Sequence, residues 1–191
     1  MTDDRQFRDD LSYVRSVVRR AEGVHNPASI YFLWAVISFF GYAIIDFRPA
    51  ATGFYWMIAG PLGGVASAVL GARAARRSGQ ISDRDGWKDL AHWGAMLFAA
   101  LLLVPLVTTG RLATDDIPRI ILLILALTYW SGGLRQDRRL LPLGVVMAGL
   151  YLFTIFGSRL PYLWTITGAI LSASLAAAGV FAAARARRSD A

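Results

Sequence analysis

The sequence predicts an all-α protein: a polytopic membrane bundle of six transmembrane helices, preceded by an N-terminal amphipathic cytoplasmic helix, with both termini cytoplasmic. Three observations predict it. The chain has 191 residues, 55% hydrophobic and only 17% charged, with a mean hydropathy of +0.46, which is more apolar surface than a soluble core can hide. Its apolar residues come in blocks of roughly 17 to 22, close to the ~20 that carry a helix across ~30 Å of hydrocarbon. Its basic residues concentrate in alternate loops, the pattern that sets membrane topology.

Residues Asp4 to Glu22 read as an amphipathic helix. Phe7, Leu11, Val14, Val18 and Ala21 recur at spacings of four and three and form one stripe. Arg8, Arg15 and Arg19 lie about a quarter turn away, where they can snorkel at a membrane surface. Such a stripe needs a cover, and anionic lipid headgroups or a cytoplasmic partner protein are the expected ones. Gly23 ends this helix, and Asn26 followed by Pro27 opens the next. The first 28 residues are charged and mixed, so no cleaved signal peptide is expected.

The bundle is expected over 29–184, followed by a basic tail at 185–191. The first span, 29–47, is closed by Asp46, Arg48 and Pro49. The second, 54–72, carries Gly60, Gly64, Ala68 and Ala72 every four residues, a ridge of small residues expected to pack on another helix. After Arg73, Arg76 and Arg77, Ser82 and Asp85 have capping-box spacing ahead of an amphipathic lead-in to the third span, 90–109. The fourth runs 117–134 and the fifth 140–156, joined by a basic turn. The sixth, 162–184, presents Gly168, Ser172 and Ala176 on one small face.

Of the twenty Lys and Arg, sixteen fall on the side of the two ends and four, Arg48, Arg111, Arg119 and Arg159, on the other, which puts the ends in the cytoplasm. Trp34, Trp87, Trp93 and Trp130 mark the expected inner boundary, Trp56 and Trp164 the outer one. A plasma-type membrane, bacterial inner membrane in kind, is the expected location. The net charge of +7 and pI near 10.4 belong to that topology, and no nucleic-acid partner is expected.

The absence of cysteine excludes disulfides, thiolate nucleophiles and iron–sulfur clusters. No ionisable residue sits near the middle of a span, which argues against proton relays and ion-coupled pumping. Hydroxyls on Ser38, Tyr42, Ser67, Thr128, Ser131, Thr154 and Ser172 suit a channel lining, or equally bonds to their own helix backbone. Pro61, among Gly60, Gly63 and Gly64, and Pro105 lie in outer halves of spans, where they can open the helix. With Tyr42, Asp46, Arg48 and Tyr55 at the same level, Pro61 marks a candidate outer ligand cavity.

Asp85, Asp89 and His92 share a helical face and are acceptable ligand types for a divalent metal, yet Arg84 and Lys88 beside them suit a charge-balanced solvated face. His25 and His92 both lie near the inner surface and neither is embedded deep in a span, so haem is not expected, and no cofactor is. No nucleophile elbow, phosphate loop or zinc-protease motif is present. The expected role is therefore a non-enzymatic sensor, anchor or accessory module; the alternatives are a small channel or facilitator, or a membrane-embedded enzyme.

Overall fold

The computed structural model describes residues 27–77, 83–135 and 137–189. The predicted amphipathic helix with Phe7, Leu11, Val14, Arg15, Val18 and Arg19 lies outside the described residues, as do His25, Ser82 and the side chains of Asp85 and Asp89. Every regular element among the described residues is a helix: α1 (Ala28–Phe47), α2 (Pro49–Arg77), α3 (Asp83–Leu101), α4 (Val104–Thr108), a 3-10 turn (Thr114–Asp116), α5 (Ile117–Arg135), α6 (Leu140–Phe156) and α7 (Leu163–Ser189).

The boundaries follow local chemistry. Pro27 holds an extended backbone just before α1 and its carbonyl accepts the Ile30 amide at 3.0 Å. A single residue, Arg48, separates α1 from α2, which starts at Pro49 and not near Phe54; proline suits the first helical position, and Ala50 and Ala51 propagate it. At the far end α7 runs past the expected end at 184 to Ser189, because Ala and Arg are good helix formers and neither glycine nor proline occurs over 185–189.

The two internal prolines behave differently. α2 is helical throughout Pro49–Arg77 with Pro61 inside it, so the predicted opening there does not occur and one backbone bond is forgone. At Pro105 the helix does break, and α3 gives way to a turn at Leu102 and Leu103 before α4 resumes. Pro105 has no N–H for the Leu101 carbonyl, and its ring crowds that oxygen. The Leu103 amide turns instead to the Ala100 carbonyl at 3.1 Å.

Among the described residues five stretches are long and apolar enough to cross a membrane: Ala28–Phe47, Pro49–Arg76, Leu90–Thr108, Ile117–Arg135 and Leu163–Arg187. α6 is apolar but has 17 residues, about 26 Å at the usual helical rise.

The helices pack in successive pairs. α1 packs along α7, α7 along α6 and α6 along α5; α2 leans on α1 at one end, and α3 leans on α5 at the other. The central four helices hold the core, with Leu122, Leu140, Met147, Leu171, Thr154 and Thr167 fully buried. By contrast, no residue of the Leu90–Thr108 stretch is buried. Tight packing is set by glycines: a Cβ on Gly144 of α6 would lie 2.9 Å from the Trp130 amide nitrogen of α5, and one on Gly168 of α7 would lie 2.8 Å from Tyr42 Cβ of α1.

The ridge expected on α2 faces elsewhere. Gly60 and Gly64 have nothing within 4 Å of a Cβ position, and Ala68 is exposed. Gly63, about 100° around the helix, meets Ile37 and Trp34 instead. Trp56 and Ser67 decide this, since they lie seven residues before and four after Gly63 and share its face. The Trp56 indole covers Gly41, and Trp34 Nε1 donates to Ser67 Oγ at 2.9 Å.

Candidate functional site

The polar and aromatic side chains of the bundle gather at two levels. One level begins with a capping problem at the start of α7. Leu163 opens that helix, so Tyr162 occupies the N-cap place, but an aromatic residue there has no acceptor to offer and Tyr162 takes φ 56°. The duty passes to Asp46 in the last turn of α1. Its Oδ1 accepts the Trp164 amide at 3.4 Å, and its Oδ2 accepts the Thr165 amide at 2.6 Å and the Thr165 hydroxyl at 2.7 Å. These are the second and third amides of α7, the ones an N-cap side chain ordinarily satisfies, and the carboxylate also complements the positive helix end.

One turn before Asp46, Tyr42 is 2% exposed. Its ring stacks on Trp164 at 6.1 Å and meets Trp56 of α2 edge-on at 6.3 Å, and its hydroxyl donates to the Pro118 carbonyl in a long 3.5 Å bond. Arg119, next along α5, sets its guanidinium 5.6 Å from the Trp164 ring centroid, within cation–π range. Its Nη1 pairs with Asp116 at 2.7 Å. Arg119 Nε and Thr52 Oγ1 are buried with no partner among the described residues. Four helices, α1, α2, α5 and α7, are thus clamped at one level.

The cavity expected from Tyr42, Asp46, Arg48, Tyr55 and Pro61 does not assemble. Tyr42 and Asp46 come together, but Tyr55 donates to the Ile37 carbonyl at 2.7 Å on the flank of α1, while Arg48 and Pro61 are exposed. Alongside Tyr42 and Asp46 stand Trp56 and Trp164, which in the sequence mark only the expected outer boundary, and Arg119, which there counts only toward the charge of the outer side. The signal was present, because two tryptophans and an arginine shared the predicted level of Tyr42 and Asp46.

At the other level, His92 of α3 donates from Nε2 to the Thr128 carbonyl of α5 at 3.1 Å, beside Gly132, whose missing side chain leaves the ring room. Trp93 meets Tyr129 edge-on at 5.3 Å. These contacts fasten α3 to α5. His92 therefore points into the α3–α5 seam, and no group of three metal-ligating side chains occurs among the described residues.

Most of the hydroxyls named above hold helix carbonyls. Ser67, Thr128, Ser131 and Thr154 bond within their own helices, to Gly63, Ile124, Thr128 and Tyr151. Ser172 of α7 reaches across to the Ala35 carbonyl of α1 at 2.7 Å, beside Gly168, so both residues of that predicted face lie against α1. The chemistry available at both levels is that of fastening helices to one another. Comparison with known family models, with curated proteins and with solved structures finds no match to this chain.

Proposed function

We propose that the chain is a six-span, non-enzymatic membrane module, an anchor, sensor or accessory subunit, with both ends on the cytoplasmic side of a plasma-type membrane. The observation that carries this reading is the use of the polar groups: Asp46, Tyr42, Arg119 and His92, with the hydroxyls between them, fasten helices together. A facilitator needs such groups along a path between helices. The backbone break at Pro105 lies on a stretch with no buried residue, away from the core. α6 completes the sixth crossing, since 17 residues is the short end of the range that spans, with local thinning or snorkelling making up the difference.

Cysteines introduced singly into this cysteine-free chain test the topology. Positions near Arg76 and Arg138 are expected to react only with cytoplasmic reagent, and one near Thr114 only from outside. Outside labelling at Arg76 would overturn the arrangement.

The amphipathic segment supplies the working surface in this reading. Arg8, Arg15 and Arg19 beside the apolar stripe favour an anionic lipid surface, at about 1 kcal/mol per basic residue. A synthetic Asp4 to Glu22 peptide is expected to be unstructured in buffer and helical by circular dichroism on phosphatidylglycerol vesicles, with salt weakening binding. A peptide that stays unstructured there points to a protein partner instead.

A further inference from the structure

The α1–α7 pair carries a groove on its outward face, with a volume of about 320 Å³, floored by Ala35, Ser172, Ala173 and Ala176 and walled on one side by Phe39 and Phe40. We propose that this groove is a specific site for one acyl chain of a membrane lipid, held by the bundle in preference to free exchange with the bilayer. The inference rests on the membrane reading above.

Depth is the first support. Ala35 to Phe40 lie within about 4 Å of the midpoint of α1 at the helical rise, the level at which the surrounding medium is acyl chain and water is absent. Polarity is the second. The one side-chain polar group in the floor, the Ser172 hydroxyl, is turned onto the Ala35 carbonyl at 2.7 Å, so nothing in the groove asks for a polar partner.

Shape decides between a lipid tail and another helix. Helices associate in hydrocarbon by bringing backbones close over small residues on both partners. Here the alanine floor is small, but Val36 and Phe40, 58% and 57% exposed, stand above it. Phe39 and Phe40 brace each other edge-to-face at 5.4 Å, so the wall does not fold flat. A second helix is therefore held off the floor, while a slender polymethylene chain reaches it. An unfilled groove would leave its lining without dispersion partners on one side, and that loss is what retains the tail.

The full chain, reconstituted into phosphatidylethanolamine–phosphatidylglycerol vesicles and re-extracted in mild detergent, is examined by native mass spectrometry. Wild type is expected to keep about one phospholipid per chain, and Ala173→Leu/Ala176→Leu, which fills the groove, to keep about tenfold less because the new side chains take the dispersion contacts. Ala177→Leu, on the exposed flank of α7, keeps the wild-type amount. Should the filled variant not fold, Phe40→Ala is read in its place: it removes the wall without adding volume and is expected to lower retention about threefold.

Equal retention in all variants overturns the proposal, as does a wild-type dimer that the filled variant separates, which makes a second copy the occupant. Failure of the wild-type chain to resist alkaline extraction from the vesicles defeats the membrane reading itself, and is seen before any lipid is counted.

Discussion

Gly144→Leu is expected to lower the melting temperature in detergent by about 6–12 °C, from an overpacking cost near 3 kcal/mol or more spread over a chain of this size. A side chain there meets backbone, 2.9 Å from the Trp130 nitrogen and 3.1 Å from the Ala126 carbonyl oxygen, and two helical backbones have no rotamer by which to yield. Gly168→Leu is expected to behave alike, because its Cβ would lie 3.2 Å from the Phe39 carbonyl as well as against Tyr42. Gly64→Leu, with nothing within 4 Å, is expected to stay within about 2 °C of wild type, as surface substitutions do. Intrinsic tryptophan fluorescence on heating reads all three. A loss at Gly64 as large as at Gly144 would mean that the α2 ridge is covered in the folded protein.

Asp46→Ala is the second large effect, an expected loss of about 2–4 kcal/mol, because it removes a cap together with hydrogen bonds to a charged acceptor. The melting temperature should fall by about 5–10 °C. Asp46→Asn keeps one carbonyl oxygen for the Thr165 amide but gives up the charge, and should lose about half as much. The neighbouring Arg48→Ala removes an exposed side chain and should change little. Hydrogen exchange separates this account from a general loosening, since the Trp164 and Thr165 amides should gain exchange first, ahead of amides in the middle of α7. Uniform loss of protection along α7 would argue against the cap.

Element positions were legible because they depend on composition summed over many residues. The apolar blocks placed α1, α5 and α6 within a residue of their observed ends, and Pro105 was rightly marked as a place where a helix opens. What the sequence hid was rotation about each helix axis. Gly63 and Gly64 are neighbours in sequence and 100° apart in space, and the choice between them was made by Trp56 and Ser67, each through a partner on α1. Pairing was equally hidden: that Asp46 serves α7, and that Arg119 lies over Trp164, depends on contacts between residues far apart in the chain. Position along a helix could be read one residue at a time, whereas a facing partner could not.

The pairing of α1 with α7 also bears on how the protein is made. Asp46 and the Thr165 amide it caps are 119 residues apart in sequence, so at ~5–20 residues per second the ribosome delivers the partner about 6–24 s after the carboxylate. Throughout that interval the α1 face that will receive Gly168 and Ser172 is unmatched, and α5 and α6, separated by a short turn, can join first. Assembly is thus ordered by synthesis, a local hairpin early and a closure of high contact order at the end. The insertion machinery or a chaperone has the most to shield in that window, when α1 is in the bilayer and α7, which completes it, has yet to emerge.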